Sequence, residues 1–318
     1  MNRTTLLSFV VIFTITNATN LNSAFLRIDL PRAAGMGGAF VALSDDVSCC
    51  VYNPAGLPLL ETREFSIGYS KLFLGLPEIN ISQYHITYTQ PLQRKRSACG
   101  LHIYQLLEPT YKESIVSLSY GYLLIAVGKK QKLSLGISVK YLEINFITED
   151  LQHFSISDPI LASRSSKDTI SLDLSFLYKM EKISMGLLVK NVNQPDISLS
   201  SQEMVPVPIE FNWGIAFSNL ALFKKNNHIF PSIELSICRD KIFYFAGVEL
   251  SFIDEQLNFR GGVNNKNNEF TFGVSYYLNF CRKGEVGCGI DYAILLPFGR
   301  ESIQSTAGTH LISLNLKF

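Results

Sequence analysis

Beyond its extreme N-terminus the chain lacks any unbroken apolar run near the roughly 20 residues that a membrane-spanning helix needs, although 47% of its 318 residues are hydrophobic. That absence excludes a helical membrane protein. Charge is also scarce: 17% of residues are Asp, Glu, Lys or Arg, against about 25% in ordinary globular domains. The formal net charge of +1 gives no electrostatic reason to expect a nucleic acid partner. There is no CxxC, and none of Cys49, Cys50, Cys99, Cys238, Cys281 and Cys288 lies near a histidine at metal-ligand spacing. No metal and no cofactor is expected. Catalysis lacks a signature as well. His85, His102, His153, His228 and His310 sit beside no nucleophile motif, and Gly68-Tyr69-Ser70-Lys71 lacks the second glycine of a nucleophile elbow. The protein is not expected to be an enzyme.

What is present begins with an export pattern. Arg3 supplies a positive start, Leu6 to Ile15 an apolar core broken by Ser8 and Thr14, and Ala18 and Ala24 small residues suited to cleavage. Export permits a Cys281–Cys288 bridge across a turn or a strained vicinal Cys49–Cys50 pair. The plainer reading is unpaired small apolar residues.

From Glu64 to the last residue, segments of roughly ten residues alternate apolar with small or polar side chains between turn-forming clusters. Ile170, Leu172, Leu174, Phe176 and Tyr178 share one face; Thr169, Ser171, Asp173 and Ser175 share the other. Leu133 to Tyr141, Val116 to Tyr122 and Phe270 to Leu278 repeat the pattern. About fourteen such segments begin near Glu64, Asn80, Ser97, Ser114, Lys132, Asp168, Lys182, Val207, Asn227, Ile242, Gln256, Asn268, Gly287 and Gly308. An even count, one aromatic-rich apolar face and one face of Gly, Ser, Thr and charged residues predict an all-β, antiparallel transmembrane β-barrel of about 14 strands. With both termini in the periplasm, the two longest gaps, Ile147 to Lys167 and Asn191 to Pro206, follow odd-numbered strands and face outward. Short turns and the basic clusters Arg94-Lys95-Arg96, Lys129-Lys130, Lys224-Lys225 and Arg282-Lys283 fall on the periplasmic side. In the last segment Ile312, Leu314, Leu316 and Phe318 share a face. Leu314, Leu316 and Phe318 read as a C-terminal signal for the barrel-assembly machinery.

The segment Ala24 to Glu61 has a different character. It reads RAAGMGGAFVALSDD from Arg32 to Asp46, then NPAGL from Asn53 to Leu57. Its period is not two; short helical turns and glycine bends are expected, with Ser44, Asp45 or Asp46 capping a helix through Ser48 to Tyr52. A dinucleotide loop at Gly35-Met36-Gly37-Gly38 is disfavoured, because Phe40 stands where the third glycine belongs. These residues resemble the FadL-like outer-membrane family, and within it the PorV/PorQ branch. The resemblance implies an N-terminal hatch, a plug with short helices that folds into the bore. Its motif residues would be Gly35, Met36, Gly37, Gly38, Ala39, Phe40, Asp45, Asp46, Asn53, Pro54, Ala55 and Gly56. The organisation expected is a signal peptide over 1–19, a hatch over 20–62 and a barrel over 63–318.

Alternation assigns His85, His102, Lys140, Asp173, Lys190, Glu210, Glu234, Glu249, Arg260 and Asp291 to the lumen. Two readings stay open: a lining for the hatch or a solute head group, or a cross-strand ion-pair ladder that holds the plug. The family resemblance implies a plugged outer-membrane channel for hydrophobic small molecules such as long-chain fatty acids. The alternative is a PorV-like component of type IX secretion or surface attachment that binds secreted proteins. Expected partners are outer-membrane lipids, hydrophobic solutes, the assembly machinery and, on the second reading, secreted proteins.

Overall fold

A computed structural model describes residues 24–25, 27–76, 80–92, 96–128, 131–147, 165–199, 204–218, 220–222, 224–280, 286–299 and 306–318. The expected signal segment, Cys281, most of the Ile147 to Lys167 gap and several of the basic clusters lie outside these residues.

The strands are β1 (Glu64–Leu72), β2 (Ile81–Pro91), β3 (Ser97–Leu107), β4 (Tyr111–Val127), β5 (Gln131–Phe146), β6 (Ser166–Met180) and β7 (Ile183–Lys190). They continue as β8 (Glu210–Phe217), β9 (Leu220–Leu222), β10 (Lys224–Cys238), β11 (Lys241–Phe252), β12 (Leu257–Asn264), β13 (Glu269–Asn279), β14 (Gly287–Pro297) and β15 (Thr309–Lys317). Each pairs antiparallel with its neighbour, and β15 returns to β1 with Glu64 opposite Lys317 and Lys71 opposite His310. The sheet therefore closes. The three-residue β9 continues the line of β8 along β10, so the fifteen strands form a closed 14-strand barrel. Closure satisfies the backbone donors and acceptors that an open edge would leave bare in lipid. The expected segments agree with the strands to within about three residues, the largest differences being at β4, β8 and β10.

Alternation fixes which side chains leave the wall. Ile312, Leu314, Leu316 and Phe318 are exposed, while Leu311, Ser313 and Asn315 between them are buried. Tyr84, Tyr120, Tyr122, Tyr141 and Tyr276 lie on the same outer surface, as do Trp213 and Phe272. This outer belt is the apolar face that meets hydrocarbon. Among the described residues no helix is long and apolar enough to cross a membrane.

The buried side is occupied by the N-terminal segment. Among its described residues, helix is limited to Pro31–Gly35, Cys49–Tyr52 and the 3-10 turn Pro54–Leu59. Pro31 opens the first of these, where its missing N–H and fixed φ cost nothing. Before the second, the Asp46 carboxylate accepts from the Ser48 amide at 2.8 Å, so Asp46 is the one of the three predicted capping residues that organises that entry. The segment is as buried as a soluble core: Ala33, Met36, Ala39, Phe40, Leu57 and Asn53 are all but inaccessible.

Candidate functional site

The plug fits because the wall beside it is bare. Inward-facing glycines recur around the barrel. A β-carbon on Gly247 or Gly262 would overlap the backbone of Met36 and Gly37, and one on Gly186 would overlap Val41. On the opposite side, Gly121 and Gly136 stand against Pro54 and Ala55, and Gly100 against Cys50. At Gly136 backbone meets backbone, while Gly121 also makes room for the Pro58 ring and Gly100 for the Cys50 thiol. Gly37 and Gly38 have φ of 69° and 89°, which turns the chain away from the first helix at no steric cost.

Hydrogen bonds then pin the plug on every side. Thr271 on β13 donates to Gly35 O at 3.0 Å and accepts from Gly37 N at 2.9 Å. Glu234 on β10 accepts from the amides of Phe40 and Val41, both at 3.0 Å. Asn53 Nδ2 donates to Val41 O at 2.8 Å and to Phe176 O of β6 at 3.1 Å, while its Oδ1 accepts from Ala55 N at 3.1 Å. One asparagine thus joins both halves of the plug to the wall. Ala55 N also reaches Ser175 Oγ at 3.0 Å, and Ser134 Oγ donates to Ala55 O at 2.6 Å. At the barrel seam, Glu64 accepts from Val47 N at 2.8 Å and faces Lys317 at 3.4 Å.

Charge is concentrated at Arg32. Its guanidinium grips Glu249 bidentately at 2.9 and 3.0 Å, and reaches Asp45 at 2.7 Å and Asp46 at 2.9 Å. Burial works against that charge, but the carboxylates of Asp45, Glu249 and Asp46 outweigh it and hold the pKa well above the usual arginine value. Arg260 extends the network from Glu249 at 2.5 Å to Asp291 at 3.1 Å, where Tyr277 Oη and Asn315 Nδ2 also bond. Higher in the bore, Arg27 joins Asp29 at 2.6 Å and Glu269 at 2.9 Å. Within the plug, burial pushes the Cys49 thiol up, with Cys50 adding to the effect, and pushes the Tyr52 phenol up as its hydroxyl bonds Ile28 O at 3.1 Å. Cys49, Cys50, Cys99, Cys238 and Cys288 are free thiols.

The lumen candidates all lie on the inner side, but they do not form one ladder. Two pairs of them stand directly opposite each other, Glu249 with Arg260 and Lys190 with Glu210. Glu210 is opposite Cys238 and Glu234 opposite Phe245, so the three glutamates sit at different heights. Each has its own partner: Glu210 takes Lys266 at 3.2 Å and Lys190 at 4.0 Å, and Glu234 holds the plug's amides. Lys140 pairs with Asp173 at 2.7 Å, and His85 lies against Gly68. Nor is the inner face polar throughout. At the barrel end away from Glu64 and Lys317, Tyr104, Leu106, Ile115, Leu142 and Ile144 turn inward and are buried with Ile197 and Val207 of the β7–β8 loop. Phe25 and Ile28 pack against this cluster. Asn191 anchors that loop, donating its amide N to Asp173 at 2.8 Å and Nδ2 to Pro208 O at 2.9 Å.

Sequence reasoning quotes Arg32 without a role, sets Ser134 and Thr271 on the polar face by alternation without a partner, and names Asn191 only as the start of a long gap. Arg32 carried a usable signal, since it and Arg27 are the only cations between Ala24 and Leu60. The small polar residues carried none.

No curated protein sequence matches the chain. Among solved structures it is similar to the Ralstonia pickettii toluene transporter TbuX (14% identity, 91% of this chain and 98% of that one, TM-score 0.57). It is similar also to the CymD monoaromatic hydrocarbon channel (12%, 91% and 97%, 0.55) and to a Pseudomonas aeruginosa FadL homologue (8%, 90% and 96%, 0.53). At such identities these likenesses carry the fold alone, that of FadL-type outer-membrane barrels. The family described as type IX secretion system membrane protein PorP/SprF matches residues 48–315, spanning the second half of the plug and nearly the whole wall, and the chain belongs to that family.

Proposed function

We propose that this protein is a closed outer-membrane component of type IX secretion that engages secreted proteins or their machinery, in preference to a conduit for hydrophobic solutes. The observation that carries the reading is the seating of the plug. Its backbone is bonded to β6, β10 and β13 and pressed against glycines of β3, β4, β5, β7, β11 and β12. Moving it would break buried hydrogen bonds and an arginine network together, each lost partner costing on the order of 1–3 kcal/mol. The space beyond the plug supports the same conclusion, for Lys140, Asp173, Lys190, Glu210 and Glu234 line it. Ile28, Val51, Ile115 and Leu142 share that lining, but an apolar solute there would have to displace water from the ionisable groups beside them, which costs free energy. The resemblance of Arg32 to Leu57 to the PorV/PorQ branch points to the same secretion context.

Deletion of the gene tests both readings at once. Loss of secreted or surface-attached proteins, with unchanged uptake of toluene and long-chain fatty acids, is the expected result. Normal secretion with reduced uptake would overturn the proposal in favour of the channel. Cross-linking from the outer β7–β8 loop in intact cells should capture a secreted protein.

A further inference from the structure

Between the plug and the distal apolar cluster lies a partly open cavity of about 100 Å³. Its wall includes Lys140, Asp173, Lys190, Glu210, Asn212 and Glu234. The acceptors of this wall are already engaged. Asp173 takes Lys140 and the Asn191 amide; Glu210 takes Ser236 at 3.0 Å and Lys266; Glu234 takes two plug amides. Glu269, also on the wall, is held by Arg27 and Asn267.

The donors are not. Asn212 Nδ2 is buried and has no hydrogen-bond partner, although the residue is only 2% exposed and borders the cavity. Lys190 has three protons to give, and its carboxylate contact, Glu210 Oε1, is 4.0 Å away, at the outer limit of an ion pair. Lys190 is half-buried and keeps its ammonium open to the cavity; Asn212 is fully buried, and native proteins rarely leave such a donor unspent without a water, an ion or a function to explain it. The two residues are also neighbours. Lys190 stands opposite Glu210 in the β7–β8 register, and Asn212 is two residues further along β8 on the same inward face. That diagonal spacing, roughly 7–8 Å between backbones, lets both side chains reach one small ligand.

We propose that this face of the cavity binds a small oxyanion, a carboxylate or a phosphate, with Lys190 supplying the charge and Asn212 a directed hydrogen bond. Unspent donors beside satisfied carboxylates select a ligand rich in acceptors. A hydrocarbon offers none, and an amine would compete with lysines that already hold the acids. The site is independent of the secretion reading: a deletion strain with normal secretion would leave it standing.

The full-length barrel in detergent is titrated with sodium acetate, sodium succinate and inorganic phosphate against sodium chloride at matched ionic strength. Heat of binding and thermal midpoint are followed. A saturable response to at least one oxyanion is expected; acetate and succinate without phosphate would assign a carboxylate, and the reverse a phosphate. Lys190→Met and Asn212→Leu should each weaken binding at least tenfold, Asn212→Ser, which retains a donor, should weaken it less, and Lys112→Met should leave it unchanged. No saturable response from the wild-type protein to any of the three overturns the proposal, whether or not the variants fold. Equal affinity in wild type, Lys190→Met and Asn212→Leu overturns it as well.

Discussion

At the scale of the residue, the plug depends on what is missing from the wall. Gly247 faces Met36 so closely that any β-carbon collides with plug backbone, whereas Gly261, next in the chain to the opposing Gly262, has nothing within 4 Å. Gly247→Ala should therefore cost about 1–3 kcal/mol, as overpacking does, and Gly261→Ala should be nearly neutral. Urea unfolding of the two variants side by side checks this; equal midpoints would contradict the close-approach argument. Arg32 makes the complementary case. Its bidentate grip on Glu249 needs a planar fork, so lysine is no substitute. Arg32→Met leaves Asp45 and Asp46 without their cation and should cost roughly 3–5 kcal/mol, the usual penalty for breaking a buried pair. Protease sensitivity of the plug in folded barrels reports it, and wild-type resistance would show the network to be dispensable.

Elements show what could be read in advance and what could not. Alternation along Thr169 to Tyr178 predicted β6 and its two faces, because strand geometry alone sends neighbours to opposite sides. It could not show that Ile115 and Leu142 turn inward to close the distal end, since an apolar residue on the inner face looks like any other break in pattern. Nor could it find the partner of Glu234, because a backbone amide has no signature in sequence. The β7–β8 loop offers a test by pH. Asp196 is held below the usual aspartate range by the Ser198 hydroxyl and by the Val205 amide. A depressed folded pKa stabilises the loop above the ordinary value of about 3.9 and loses that contribution as pH falls through the folded value. Amides of Ser198 and Val205 should lose hydrogen-exchange protection between about pH 6 and about pH 2, after correction for intrinsic rates. Unchanged protection, or the same loss in Asp196→Asn, would show that the carboxylate does not organise the loop. On the last strand, Leu314 points outward opposite Ile67 and Ile290. Leu314→Arg should cost up to about 2–4 kcal/mol where it meets the bilayer interior, and heat-modifiable barrel recovered from membranes measures it. Full recovery would mean that this face does not meet lipid.

For the whole molecule, the barrel was legible because its rule repeats, while the interior was legible only where a family phrase supplied it. Arg32 to Leu57 announced a plug by resemblance, but the glycines that receive it are scattered from Gly100 to Gly262 and acquire meaning only when the sheet closes. A plug surrounded in this way should not be exchangeable. Barrels made without residues 24–60 should fail to recover wild-type stability when the missing segment is added as a separate peptide, and recovery would show that the wall can open to admit it.

Glu64 gathers that last point into a single side chain. It is the first residue of the first strand, and it touches both the plug at Val47 and the final strand at Lys317. The join between the oldest and youngest strands is thus knotted to the cargo inside, like a drawstring tied around what the bag holds. Seating of the contents and meeting of the wall with itself therefore draw on one carboxylate, and its loss would slacken both together.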